Sequence, residues 1–159
     1  MNRRDSLTRL GALAALLATP HAWASPGSKP PATRPAVQVW KDPNCGCCQD
    51  WVDHLTQHGF AVQVIDEGNA EMRKRLGMPQ KYGSCHTARV QGYVIEGHVP
   101  ASDIHRLLRE RPRALGLAVP GMPLGSPGMD GPAYGGRNQR YDVLLVARDG
   151  STKVFSTHN

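Results

Sequence analysis

Four cysteines carry most of the chemistry that can be read from this chain: Cys45, Cys47, Cys48 and Cys85. Three of them fall within four residues, as a CxCC motif, Cys45-Gly46-Cys47-Cys48. Taken as a C-x-x-C pair at a helix start, Cys45 and Cys48 could exchange disulfides. Free N–H groups and the helix dipole there stabilise a thiolate and lower its pKa. Cys47 fits that reading badly, because a third thiol beside the pair would scramble the disulfide. Taken as metal ligands, with Cys85 as the fourth, the cysteines are soft donors for Cu(I), Zn(II) or iron–sulfur clusters. Three thiolates so close crowd a single tetrahedral ion, whereas bridging sulfurs suit a polynuclear Cu(I) cluster. Zinc sites usually draw on separated C-x₂-C pairs. The plain alternative is two stabilising disulfides, since the count is even.

Other residues could support such a site. His86 follows Cys85, and His98 sits on a turn before Val99-Pro100; either imidazole could ligate. Neighbours on a strand point to opposite faces, which argues against Cys85 and His86 sharing one site. Met122 and Met129 lie in a Gly/Pro-rich loop, where a neutral thioether is a soft Cu(I) donor. Met72 and Met78 read as structural. His54, His58, His105 and His158 read as surface residues. Asp42 and Asn44 are placed to form a turn and cap a helix near Cys45. Trp40 and Trp51 flank the motif and are expected in its apolar shell.

The elements that must position these groups follow from periodicity. Val37 to Trp40 alternates as a strand. A helix is expected from Cys45 or Gly46 to about His58, with Trp51, Val52 and Leu55 on its apolar face and Gly59 as its stop. Phe60 to Ile65 reads as a second strand and Ala70 to Leu76 as a short helix. Thr87 to Val90 and Tyr93 to Ile95 read as strands around Gly92, and Ala101 to Arg109 as a helix. Gly and Pro make up 12 of the 26 residues from Pro112 to Arg137, which predicts one long irregular loop. Tyr141 to Ala147 and Thr152 to Thr157 then form a hairpin about Asp149-Gly150. The order β-α-β-α-β-β-α-loop-β-β implies a thioredoxin-like α/β single domain with a C-terminal β-hairpin.

At 159 residues the chain has room for about one domain. Residues 1–24 read as a signal peptide: Arg3-Arg4, an apolar stretch from Leu10 to Ala18, then Ala22-Trp23-Ala24 before a cleavage after Ala24. The paired arginines are compatible with Sec or twin-arginine export. Residues 25–36 read as a Pro-rich linker and 37–159 as the folded domain, in a bacterial periplasm. No apolar run reaches the length of a membrane span in the mature chain. The net charge of +6 is scattered, with no basic stripe and no interleaved aromatics, which disfavours nucleic acid as a partner.

These residues also carry a resemblance. Lys41-Asp42-Pro43-Asn44-Cys45-Gly46-Cys47-Cys48, Ser84-Cys85-His86-Thr87-Ala88, the run Gly92 to Ala101, and Gly116 to Pro123 followed by Gly125 to Met129 resemble the CopG-type copper-resistance proteins. That family was long catalogued as a domain of unknown function. The likeness runs from about Val37 to His158. It implies an exported thioredoxin-like domain that binds copper through clustered cysteines and is often encoded with copper-efflux systems. Carried over, Cys45, Cys47, Cys48 and Cys85 become the core ligands, with Met122, Met129 and His98 secondary.

The sequence therefore supports an exported copper-binding protein of copper resistance, holding Cu(I) and cycling it or passing it to an efflux or transfer partner. A periplasmic thiol-disulfide oxidoreductase using Cys45 as nucleophile and Cys48 as resolving thiol is the rival. Any enzymatic role would be copper redox or disulfide exchange. A zinc-stabilised interaction module is a third reading.

Overall fold

The computed structural model describes residues 33–159. The expected signal, residues 1–24, and most of the linker, 25–36, lie outside the described residues. Seven strands form one mixed sheet. They are β1 (Ala36–Lys41), β2 (Ala61–Ile65), β3 (His86–Val90), β4 (Tyr93–Glu96), β5 (Gly116–Ala118), β6 (Tyr141–Val146) and β7 (Thr152–His158). Three helices accompany them: α1 (Gly46–Gln57), α2 (Ala70–Arg75) and α3 (Ala101–Glu110). The sheet order is β2-β1-β3-β4-β5-β6-β7. β1 and β2 are parallel across α1, and β4 and β5 are parallel across α3; the remaining pairs are antiparallel.

The alternation of Val37 and Val39 with polar neighbours sends both into the core, where they meet Trp51, Val52 and Leu55 of α1. Ile104 and Leu107 of α3 join the same cluster, with Ala88, Ile95, Leu117, Val143 and Leu145 from the sheet. Each fully buried large apolar side chain is worth about 1.5–3 kcal/mol, so the two helices are held to the sheet chiefly by this layer. A smaller cluster holds Met78, Tyr82, Val94, Ala118 and Val146. Met78 is thus structural, as its position after α2 implied.

Most expected elements appear within a residue or two. Gly59 ends α1 in a left-handed conformation (φ 86°), which a side chain would strain. Phe60 departs from expectation. It is not the first strand residue but a fully buried plug after α1, stacked on His105 with ring centroids 4.3 Å apart. The Gly/Pro-rich stretch is not irregular throughout, because Gly116–Ala118 forms β5 between β4 and β6. A Cβ on Gly116 would lie 1.7 Å from the Val94 carbonyl oxygen, so only glycine lets this strand lie against β4.

Three of the four histidines expected at the surface are partly buried in structural contacts. His105 donates from Nε2 to the His58 carbonyl at 2.9 Å as well as stacking on Phe60. His158 pairs with the buried Asp103 at 2.7 Å, tying β7 to α3. His54 accepts the Ala101 N–H on Nε2 at 3.1 Å, satisfying a free donor at the start of α3. Only His58 remains exposed, as expected.

Burial, reinforced by His58, holds the His54 imidazole down to about 4, against an ordinary value near 6.5. The unfolded chain therefore takes up a proton first as pH falls. This contribution to stability is lost between pH 6.5 and 4 and changes little below that. His54→Gln keeps an acceptor for Ala101 but does not titrate. The variant should show a shallower fall in melting temperature from pH 6.5 to 4, measured by thermal unfolding across that range.

Candidate metal centre

Asp42 starts the construction. Its carboxylate accepts the Asn44 N–H at 2.8 Å and its carbonyl accepts the Cys45 N–H at 3.1 Å. This turn ends β1 and sets Cys45 at the N-cap of α1, in extended backbone. The expected turn forms, but no side chain caps the helix, and its first turn holds no acidic residue. The dipole and the first N–H groups of α1 therefore face the cysteines themselves.

Cys45 and Cys48 are joined by a disulfide, and Cys47 and Cys85 are free. The plain alternative of two disulfides is not what forms: one bridge is made and two thiols are left. The four sulfurs lie within 4.8 Å of one another. Cys47 Sγ is 3.6 Å from Cys45 Sγ and 3.9 Å from Cys85 Sγ. Cys48 is fully buried, with its sulfur 3.6 Å from the Cys85 carbonyl oxygen.

Cys85 joins this cluster to a second set of donors. Its sulfur is 3.1 Å from His98 Nε2 and 3.4 Å from His86 Nδ1. Cys85 and His86 do meet in one site, against the expectation from strand alternation. Cys85 lies at a bend just before β3 begins, so strand alternation does not apply to the pair. Both imidazoles are fully buried. His86 Nε2 contacts the Gly97 carbonyl at 2.9 Å, and His98 Nδ1 contacts the Pro127 carbonyl at 2.8 Å. A carbonyl can only accept, so those two nitrogens carry the protons. The opposite nitrogens, His86 Nδ1 and His98 Nε2, must present lone pairs toward Cys85.

One thiol proton cannot satisfy two lone pairs. Two buried imidazoles, each locked in its tautomer by a carbonyl and aimed at one sulfur, are what a soft metal ion requires of its ligands and their supports. Burial holds both imidazoles below their usual range, which keeps them neutral. Burial, with Cys47 next, pushes the Cys85 thiol up to about 12. Without a cation Cys85 is thus a thiol, and a cation would have to displace its proton.

The methionine loop is fastened over this point. A Cβ on Gly128 would lie 2.5 Å from the Cys47 carbonyl oxygen and 2.9 Å from the Trp51 nitrogen, so the loop lies directly on α1. Ser84 donates its hydroxyl to the Gly121 carbonyl. Met129 is buried at 8 % exposure, while Met122 is half-exposed at 50 %. The fold therefore lays the segment just before Met129 on the Cys47 backbone and leaves Met122 half in solvent. Trp51 is fully buried, donates to the Val99 carbonyl at 2.9 Å and lies 4.3 Å from the His86 ring. Trp40 is buried as well.

Sequence reasoning missed the group beneath the site. Glu96 is fully buried; it accepts from Arg73 Nε and the Ser84 N–H, each at 2.8 Å, and from the Thr87 hydroxyl at 2.6 Å. Arg73 also donates to the Ser84 carbonyl and to Gln80. Burial raises the Glu96 carboxyl and these donors oppose that rise. Ser84, the residue before Cys85, is held by both members of the pair. Lys41, 4 % exposed and 2.9 Å from Asp66, was also unread. Lys41 and Glu96 lie within stretches that carry the family resemblance, but their residue types do not mark them as buried or paired; the one local signal is that Glu96 closes the apolar run Val94-Ile95.

Arg73→Met would leave Glu96 buried and unpaired, which costs about 3–5 kcal/mol in comparable cases. Urea unfolding should show a loss of that order, and the double change Arg73→Met with Glu96→Leu should recover a large part of it.

Comparisons with known proteins agree with this geometry. Residues 82–129 match a family described as "Protein of unknown function, DUF411". That span holds Cys85, both histidines and both methionines. No curated protein matches the chain. Two solved structures do. "Copper resistance protein copG- Form 2" is 44 % identical, with 79 % of this chain and 99 % of that chain covered and a TM-score of 0.73. "Copper resistance protein copG- Form 1" is 46 % identical, with 77 % and 96 % covered and a TM-score of 0.71. With such identity over nearly the whole of both structures, and a cysteine cluster joined to two locked imidazoles, the chain belongs to the CopG copper-resistance family.

Proposed function

We propose that this protein is an exported copper-binding protein of copper resistance, built on a thioredoxin-like domain. It holds Cu(I) in a polynuclear, thiolate-bridged site. The observation that carries this reading is the convergence of four cysteine sulfurs and two imidazole lone pairs on Cys85. Cys45, Cys47, Cys48 and Cys85 would be the core ligands. His86 and His98 add imidazole nitrogens beside Cys85. Met129 adds a thioether from the overlying loop, with Met122 at the rim guiding copper in or out. Soft sulfur and imidazole donors together favour Cu(I) over hard cations.

The domain assignment is part of the same reading. Residues 1–24 direct export to the periplasm, 25–36 are a linker, and 37–159 bind metal. Copper ions are the cargo, and an efflux or transfer protein receives them. No helix among the described residues is long and apolar enough to cross a membrane.

The Cys45–Cys48 disulfide favours a second use of the same residues, thiol–disulfide exchange. The two readings are linked. Reduction of that bond takes two electrons and two protons and releases two more thiols. Copper then displaces thiol protons as it binds. The disulfide form should therefore hold less copper than the reduced form.

The test is stoichiometry. Protein reduced, loaded anaerobically with Cu(I) and freed of unbound metal should hold more than one copper per chain with all thiols blocked. Cys47→Ser should lower that number, and the oxidised protein should bind fewer ions. One copper per chain, unchanged by Cys47→Ser, would sink the cluster. Little copper combined with efficient insulin reduction would move the function to disulfide exchange.

A further inference from the structure

At the opposite end of the sheet lies a cleft that the copper reading does not use. β3 begins beside the cysteines at His86 and ends at Val90; the Gln91-Gly92 turn, the end of α3 and the end of β6 meet there. The cleft has a volume of ≈ 620 Å³ and is lined by Arg111, Arg113 and Arg148, with Gln91, Tyr93 and Ala114 among its walls. That volume is in the range of small-ligand sites.

The charge there is unbalanced. All three arginines are exposed, and among the described residues none has an ion-pair partner. The nearby acidic residues are engaged elsewhere. Glu110 pairs with Arg106 at 2.7 Å. Asp149 accepts from the N–H and hydroxyl of Ser151 within its own turn. Arg111 donates from Nε to the Leu108 carbonyl at 3.4 Å, so its terminal nitrogens are left for a ligand. Tyr93 braces the wall by donating to the Pro112 carbonyl at 2.9 Å.

Backbone conformation singles out the same place. Among the described residues, Gln91 (φ 45°) and Arg111 (φ 47°) are the two non-glycine residues with positive φ, and both line this cleft. Arg111 caps α3 in the left-handed conformation, where glycine costs least. Gln91 opens a two-residue hairpin turn, where Asn, Asp or Gly is usual. Long polar side chains at both positions are held at a conformational cost, and such cost concentrates at functional sites.

We propose that this cleft binds a phosphate-bearing anion. Guanidinium groups match phosphate oxygens with paired, charge-assisted hydrogen bonds. Three of them around one cleft suit a group of higher charge than a single carboxylate. The phosphate is either that of a soluble ligand or that of a lipid headgroup. In the second case the domain would rest on an anionic membrane surface with its thiols directed away.

The test uses the purified protein at low ionic strength with two probes: inorganic phosphate, followed by calorimetry, and vesicles of phosphatidylglycerol in phosphatidylcholine, followed by co-sedimentation. The variant Arg111→Gly/Arg113→Gln/Arg148→Gln should weaken binding by about tenfold or more. Removing the same amount of charge with Lys74→Gln/Arg75→Gln/Lys81→Gln should leave binding unchanged. Arg111→Gly alone should weaken binding while keeping or raising the melting temperature, which separates ligand loss from misfolding. Phosphate binding without vesicle binding assigns a soluble ligand. Vesicle binding that phosphate displaces assigns the headgroup. Failure of both probes to bind, or an equal loss in the two triple variants, overturns the proposal.

Discussion

The donor cluster depends on a carboxylate that has no access to water. Glu96 sits at the end of β4 with its two oxygens taken by Arg73, the Ser84 N–H and the Thr87 hydroxyl. Those bonds draw α2, the Ser84–His86 segment and β4 together. They fix the point at which Cys85 leaves its bend and enters β3. The same backbone then carries His86 and, through Gly97, the carbonyl that sets its tautomer. A buried ion pair is weak evidence for net stability. Here its effect is geometric, because it removes the freedom of the one cysteine that lies outside the CxCC motif.

The site brings together two kinds of constraint on sulfur. From α1, a helix N-terminus with no side-chain cap presents its dipole to Cys45, Cys47 and Cys48. From β3 and the turn after β4, two neutral imidazoles present lone pairs to Cys85. The disulfide ties up two sulfurs of the first set and leaves Cys47 and Cys85 facing each other. Redox state thus decides how many sulfurs can serve as ligands. The loop over the cluster is pinned through Gly128 to α1 and through Gly121 to Ser84, which limits the space above the thiols.

Much of this was legible from the residues. The CxCC motif at a helix start, the first strand, the three helices and the final hairpin follow from periodicity and turn chemistry. β5 was not legible, because three residues that open on glycine inside a Gly/Pro-rich stretch have no pattern of their own. β5 is a strand only because β4 and β6 lie on either side of it. The meeting of Cys85 with His86 was misjudged for a related reason: alternation holds within a strand, and Cys85 stands one residue outside it. The Arg73–Glu96 pair joins residues 23 positions apart, and the apolar run before Glu96 is the one local hint of it. His54, His105 and His158 have their roles only through the packing of α1, α3 and β7.

The central claim is that His86 Nδ1 and His98 Nε2 are unprotonated donors aimed at a metal bound on Cys85. Long-range proton–nitrogen NMR of the histidine rings, recorded before and after Cu(I) is added to the reduced protein, tests it directly. The account predicts His86 protonated at Nε2 and His98 at Nδ1 before loading, with large shifts of His86 Nδ1 and His98 Nε2 on loading. The opposite tautomers, or ring nitrogens that do not move as copper fills the thiols, would contradict it.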